Sequence, residues 1–327
     1  MATIGTAVTL LDLAKSQAPD GTMAKLVNTL TQQNQMLEDM VWLPTNEESQ
    51  HRTTLVTGLP TIYDRRYNQG VLSSKGLREQ ILEPTSMLEA YSKVDKRLLE
   101  KQANPEAWRQ SEDMLFVEAM NQTMQERMLY GNRAIVPDHI DGFHTRFNSL
   151  TGSLADSMIG GGGVGSDNTS ILIVRWGEMA VHGIYPKNTI AGLRHTDLGQ
   201  DTAVDSNGGE YQILRSQFTW DYGLSIRDRR AVVRIPNIDV SNLVGESSNA
   251  DLIKLIIRGL ERIDDAPPGP TVIYCNKTVR TMLRIQITNK ANVNLYWENF
   301  SGKKVMMFDD APVRRLDRIL NTEAAVS

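Results

Sequence analysis

"SMIGGGGVGSDNTSILIVRWG", Ser157 to Gly177, packs five glycines into six residues and then turns into an apolar run. Two folds compete for it. In a nucleotide-binding α/β protein a glycine loop leaves a strand and enters a helix, so that backbone N–H groups and the helix dipole meet a phosphate. Gly160, Gly162 and Gly165 satisfy G-x-G-x-x-G by letter. The order around them is reversed, because "SLADSM" stands before the loop and the strand run "SILIVRW" stands after it. The Walker form fails as well, since no Lys-Ser/Thr pair follows Gly165. The tract therefore reads as a hinge or loop entering a strand.

The bulk numbers narrow the class further. A chain of 327 residues exceeds the size at which single cores usually split, so about two domains or subdomains are expected. Hydrophobic residues at 40% and charged residues at 23% suit a soluble globular protein. A net charge of −4 gives no sign of a nucleic-acid binder held by bulk positive charge. The single cysteine, Cys275, excludes an internal disulfide framework, and a zinc site would need mainly His and acid ligands. No run approaches the roughly 18 apolar residues of a membrane span, and the first residues lack a signal-peptide pattern. A protein made and kept in the cytosol is expected.

Outward from the glycines, residues 6–42 carry two helix-like segments. Met23, Leu26, Val27, Leu30, Met36, Leu37, Met40 and Val41 recur at spacings of three and four, an amphipathic pattern that Pro44 ends. Residues 45–95 are polar and turn-rich, with β-prone runs at Thr53–Thr57 and Pro60–Tyr63. They have the composition of a projecting hairpin with too few large apolar residues for a core of its own. The clearest element is a helix over 105–130, with Asn104 as N-cap, Pro105 in its first position and Gly131 as stop. Its run "MLFVEAM" reads as core by periodicity, with Met114, Val117, Met120, Met124 and Met128 on one face.

Past the glycines, Ser170–Trp176, Met179–Tyr185, Glu210–Tyr222 and Leu224–Ile235 read as strands, and 192–209 reads as a turn-rich loop. A helix follows near Ala250–Arg262, with Ser248 and Asp251 as a capping box. "TVIYC" reads as a buried strand, Asn276 caps a further helix, and "KKVMMF" is another short strand.

The search for chemistry finds no catalytic constellation. There is no G-x-S-x-G elbow and no H-E-x-x-H pair. His139 and His144 read as parts of a solvated turn, while His51, His182 and His195 look isolated. Cys275 reads as a small buried hydrophobe. The basic runs at Asp64–Arg66, Asp228–Arg230 and Val313–Arg318 are diluted by acids and lack interleaved aromatics, so they read as solvated faces or intersubunit salt bridges. No catalytic residue, cofactor site or metal site is assigned, and no enzymatic activity is expected. Arms and projections cannot bury their apolar sides within one chain, which implies a large assembly.

Several runs carry a resemblance. "GLPTIYDRRYNQGV", "SMLEAYSKVDKRLLE", "MLYGN", "FHTRFN", "VHGIYPKNTIAGLRHTDLG", "WDYGLSIRDRRAVVRIPNI" and "GKKVMMFDDAPVRRLDRIL" occur in that order. Over roughly residues 40 to 320 the chain resembles the major capsid proteins of tailed double-stranded DNA bacteriophages, of the HK97-like α+β fold and closest in character to podovirus-type relatives. The resemblance implies an N-terminal arm over 1–44 and an extended β-hairpin, the E-loop, over 45–96. It implies a peripheral domain with its spine helix over 97–245 and an axial domain with the C-terminal segment over 246–327. Tyr63, Asp64, Arg65, Arg66 and Tyr67 become the candidate subunit-interface residues.

The function implied is self-assembly into an icosahedral head of hexamers and pentamers around double-stranded DNA, contacted non-specifically. A separate scaffolding protein, a portal and a decoration or cementing protein would be its partners, with no membrane involved, and assembly would take place in the host bacterial cytoplasm. Lys75 lies in the E-loop, but no matching Asn or activating acid for an isopeptide crosslink can be identified. Two other readings are an encapsulin-like nanocompartment shell and a nucleotide-dependent enzyme using the Gly160–Gly165 loop.

Overall fold

The computed structural model describes residues 32, 34–101, 104–205, 207–244, 251–263, 268–289, 295–300 and 303–327, the side chains of 287–289, 295–300 and 303–304 excepted. In chain order the elements are α1 (Met36–Asp39), β1 (Trp42–Pro44), β2 (Gln50–Gly58), β3 (Leu77–Asp95), α2 (Lys96–Leu99) and the long α3 (Pro105–Tyr130). Then come α4 (Phe143–Arg146), β4 (Asn168–Arg175), β5 (Val181–Tyr185), β6 (Leu193–Val204), β7 (Glu210–Ile226) and β8 (Val232–Asp239). The last part holds α5 (Val240–Val244), α6 (Leu252–Leu260), β9 (Thr271–Cys275), α7 (Lys277–Asn289), β10 (Leu295–Phe300), β11 (Lys303–Phe308) and β12 (Ala311–Arg315).

Two six-stranded sheets organise the chain. One runs β1-β5-β7-β3-β2, with β6 also paired to β7; the other runs β10-β11-β12-β9-β4-β8. Strand β4 explains why the run after the glycines is apolar without alternation. Leu172 and Val174 point into a core shared with α3, while Ile171 and Ile173 point into a second core under α6 and α7. A strand covered on both faces needs apolar residues at every position. The second sheet takes β4 and β8 from before residue 246 and the other strands from after it, so a cut of the chain at 245/246 passes through one sheet.

The long helix has the ends its sequence dictates. Asn104 Oδ1 accepts from the Ala107 N–H at 3.2 Å, Pro105 occupies the first turn, and the Gly131 N–H closes on the Arg127 carbonyl at 2.9 Å. Its burial is uneven. Trp108, Met120, Met124, Met128 and Leu129 are buried, but Met114 is 64% exposed and Leu115 49%. The expected core role of "MLFVEAM" therefore fails for these two side chains, because the body is met by the opposite face, where Phe116 stacks on Phe218.

Other expectations are corrected in detail. The helix pattern before Pro44 stops at Asp39, and Trp42–Pro44 is a strand paired with β5; residues 1–31 lie outside the described residues. Pro60–Tyr63 is not a strand, whereas the return strand β3 spans 19 residues. The expected loop 192–209 is largely strand β6, held in register by β7, and β7 itself runs unbroken through Gly223 to Ile226. Asp251 alone caps α6, accepting from the Lys254 N–H; Ser248 lies outside the described residues.

Candidate assembly surface

Strand β3 leads out of the body to several of the most exposed large apolar side chains among the described residues. Its second half, Thr85–Asp95, is embedded by pairing with β7, and its first half pairs only with β2. The free half rises about 26 Å at a strand's ~3.3 Å per residue, before the loop 59–76 extends it further. The root is held by polar contacts. Arg146 reaches Glu83 with both guanidinium ends, at 2.6 and 2.5 Å, and Glu83 is 4% exposed. Asn46 brackets Arg52 through its amide and carbonyl at 2.6 and 2.8 Å, and the Ser86 hydroxyl donates to the Asp138 carbonyl at 2.6 Å.

The interface candidates sit at the far end. Tyr63, Asp64, Arg65, Arg66 and Tyr67 are all exposed within the 59–76 loop, Tyr67 almost completely. A turn carries them: the Gln69 N–H donates to the Arg66 carbonyl at 3.3 Å, Arg65 Nε donates to the Gln69 carbonyl at 3.2 Å, and Asn68 takes a positive φ of 64°. The Ser74 hydroxyl ties the returning chain to the Thr61 carbonyl at 2.7 Å. Around them stand Leu59, Ile62 and Leu72, 87%, 86% and 76% exposed. Large apolar side chains clustered this far from any core mark an interaction surface.

The other motifs are absorbed by the fold. The glycine tract is not a flexible hinge. The N–H groups of Ile159, Gly161 and Gly163 donate to the carbonyls of Arg234, Pro236 and Asn237 at 3.1, 2.8 and 2.7 Å, so the tract runs along β8. A Cβ on Gly161 would stand 2.6 Å from the Asn237 carbonyl oxygen, so glycine is needed for the close approach, and the N–H groups of Gly161 and Gly163 are spent on the neighbouring strand. In the basic runs at 228–230 and 313–318 four arginines pair within the chain, while Arg229 is exposed. Arg230 pairs with Asp228, Arg314 with Asp39, Arg315 with Asp317 and Arg318 with Glu126. Cys275 is buried, and burial pushes its thiol up to about 12.

The histidines depart most from expectation. His144 is buried, not solvated. Its Nε2 lies 3.1 Å from both Ser170 Oγ and Glu323 Oε1. Tyr130 donates to Glu323 at 2.6 Å, Arg234 Nη2 stands 3.0 Å from Glu323 Oε2, and the Ser170 hydroxyl donates to that same oxygen. Burial alone would raise the Glu323 carboxyl; the hydrogen bond and charge of His144, with Arg234 and Ser170, outweigh it and bring it to about 2. Burial and the nearby Arg234 push the His144 imidazole down. His51 and His182 are not isolated either: their rings meet edge-on at 5.4 Å, and burial, with the neighbouring His51 and Arg227, pushes His182 down to about 4. His195 stacks on Phe218 at 4.8 Å.

The Glu323 cluster is invisible in sequence, because its members come from five separate segments. Glu323 is buried by the tail that follows β12. The same tail exchanges two hydrogen bonds between Val326 and Asn237, at 2.7 and 2.8 Å, and pairs with Asn168. The arrangement ties the end of α3 to the second sheet. It leaves no accessible nucleophile: Ser170 and His144 are both buried.

Comparison with known proteins places the chain in a family. The family described as "Major capsid protein GP7" matches residues 18–327. A chain of the cryo-EM structure of bacteriophage Epsilon15 superposes with a TM-score of 0.82 at 35% identity, covering 100% of this chain and 99% of that one. The bacteriophage JBD30 capsid gives 0.49 at 9% identity, covering 95% and 99%. The SrpI encapsulin of Synechococcus elongatus gives 0.47 at 11% identity, covering 71% and 97%. No curated protein matches the chain.

Proposed function

The chain belongs to the family of the major capsid protein GP7, structural proteins of the phage head, and from that premise we propose how its surface builds the shell. Its fold is the α+β, HK97-like capsid fold, and the protein is a component of the virion. Residues 45–96 act as the E-loop and lie across a neighbouring subunit. Tyr63, Asp64, Arg65, Arg66 and Tyr67 supply its polar and aromatic contacts, and Leu59, Ile62 and Leu72 its apolar ones. Residues 1–44 form the N-terminal arm. Residues 97–245 form the peripheral domain on the spine α3. Residues 246–327, with β4 and β8 joining their sheet, form the axial domain that converges at the five- and sixfold axes.

Each such contact is modest. Repeated around a closed, symmetric shell of hexamers and pentamers, many modest contacts give high avidity without any very tight pair. The interior encloses double-stranded DNA and contacts it non-specifically, through a neutral or acidic lining that does not bind phosphate strongly enough to impede packing. A scaffolding protein, a portal and a decoration protein complete assembly in the host bacterial cytoplasm. This role asks no catalysis of the chain and no cofactor.

The observation that carries the reading is the hairpin tip, where Leu59, Ile62, Tyr67 and Leu72 are exposed at the end of a strand pair that has no core. Electron microscopy of the expressed full chain, alone and with a scaffolding protein, tests it. Capsomers or closed shells are expected. A protein that stays monomeric under both conditions would overturn the reading.

A further inference from the structure

The root of the hairpin encloses a pair of imidazoles. Strand β3 leaves β7 at Thr85, opposite Gly223, and from Gly223 to Ile226 β7 pairs with β5. His51 on β2 meets His182 on β5 at this parting, with ring centres 5.4 Å apart and planes at 87°. His182 is buried, and neither of its ring nitrogens meets a partner at hydrogen-bond geometry among the described residues. The Nδ1 of His51 is enclosed in the same way, as is the hydroxyl of Ser225, which stands opposite His182 on β7. Hairpin and body also enclose a hollow of about 170 Å³, lined by Ile81 and Glu83 on one side and by Phe147, Leu154 and Ile226 on the other. Buried polar atoms are normally paired and interiors normally filled, so this contact is loosely made.

The charges around the pair decide what a proton does there. Burial is the main cause that keeps both rings neutral; for His182 the neighbouring His51 and then Arg227 add to it, and for His51 Arg227 does. On the other side stand only the Gly177 backbone, for His182, and Glu83, for His51. Glu83 faces His51 across the β2–β3 ladder, but both its oxygens are held by Arg146 from α4. Arg229 lines the same hollow as that pair. Strand β1, beside β5, brings Trp42, Leu43 and Pro44 and no titratable group. A protonated imidazole in the closed root is therefore a buried cation near guanidinium groups, with the neighbouring carboxylate already taken.

We propose that the His51–His182 contact is an acid-sensitive catch: when the pair takes up a proton, the root of the hairpin opens away from β5 while the rest of the body stays folded. The bend falls at Pro84, the first residue of β3 outside the β7 ladder. Neutral rings hold the hairpin in one direction, and a protonated pair frees it to take others. The open root binds a proton that the closed root refuses, so opening is favoured as pH falls from 6.5 toward about 4. At about pH 5 this linkage multiplies the open-to-closed ratio about thirtyfold. The inference goes beyond the shell reading and does not depend on it, because every group belongs to one chain.

Thiol labelling of the full-length, unassembled chain tests this. Thr53 is buried and lies two residues from His51, on the same face of β2, so Thr53→Cys reports on the root. The native Cys275, buried in the second core, reports on unfolding of the whole chain. Labelling by dithiodipyridine, which reacts in mild acid, is followed at each thiol at about pH 7.5 and about pH 5. Each rate is divided by that of the urea-unfolded chain at the same pH. Expected between the two is a rise of about thirtyfold at Thr53→Cys, with Cys275 unlabelled, and no such rise in Thr53→Cys/His182→Leu. Cys275 labelled in step with Thr53→Cys would assign the change to global unfolding and overturn the proposal. A rise that survives His182→Leu, or no rise at all, would overturn it equally. Should His182→Leu fail to fold, His182→Gln, which keeps a polar side chain and takes no proton, replaces it with the same expectation.

Discussion

Arg146 closes on the carboxylate of Glu83 with both ends of its guanidinium, at 2.6 and 2.5 Å, and so joins the one-turn helix after α3 to the root of the projecting hairpin. Glu83 is buried on the body side of β3, and the bidentate geometry is one that lysine cannot reproduce. Arg146→Ala strands a buried carboxylate. A loss of about 3 kcal/mol is expected, at the low end for a broken buried pair because Arg146 retains some solvent contact. Denaturant unfolding measures it, and Arg146→Lys should recover only part of the loss.

At the hairpin tip the opposite holds. Ile62 and Tyr67 are 86% and 99% exposed, so Ile62→Asp and Tyr67→Asp should change the stability of the unassembled chain by no more than about 0.5 kcal/mol. The yield of particles should nevertheless fall at least about tenfold, since a charge would be buried in each contact. Denaturant unfolding of the unassembled chain reads the first quantity and sedimentation of the assembly products reads the second.

Glu323 gives an acid limit. Its carboxyl lies at about 2 in the fold against an ordinary 4.5. The stabilisation is therefore complete above pH 4.5 and is lost as pH falls from there toward 2. The difference corresponds to about 3 kcal/mol at ~1.36 kcal/mol per pH unit. Glu323→Gln should remove this acid dependence and, by leaving Arg234 buried without its partner, lower stability at pH 7 as well.

His182 acts over a higher range. It is buried neutral at about 4 in the fold against 6.5 when free, so the unfolded chain takes up a proton that the folded chain refuses. Stability from this residue is full above pH 6.5 and declines as pH falls from 6.5 to 4. In His182→Leu the slope of unfolding free energy against pH over that interval should drop by about one proton. An unchanged slope would show that the proton is taken up elsewhere.

The glycine tract separates its two readings by substitution. Gly161→Ala would place a methyl 2.6 Å from the Asn237 carbonyl oxygen, whereas a Cβ on Gly160 meets only the flexible Leu150 side chain at 3.3 Å. Gly161→Ala should cost about 2 kcal/mol or more and Gly160→Ala well under 1 kcal/mol. A nucleotide cradle would instead show a loss of ligand binding in both, with stability little changed.

What the sequence disclosed follows from what each residue needs locally. The caps of α3 were legible because Asn104, Pro105 and Gly131 act on their own neighbours. The apolar run of β4 was legible because both of its faces are buried. Strand β6 was not: its residues are exposed along most of its length, so no alternation marks it, and only the register with β7 makes it a strand. The buried cluster was not legible either, since Glu323 meets His144 across 179 positions. The five interface candidates came from the resemblance that puts their run in the E-loop, whereas the exposure of Leu59, Ile62 and Leu72 beside them follows no period that the sequence could disclose.

Strand β3 is continuous from the hairpin into the body, and from Thr85 to Asp95 it lies antiparallel to β7. Tension applied along the hairpin, as when pressure inside a closed container stretches its wall, therefore loads that ladder lengthwise. The rungs share the load together and must give way together, in contrast to a zipper opened from one end. The outward reach of the hairpin and the mechanical toughness of its anchorage come from the same uninterrupted strand.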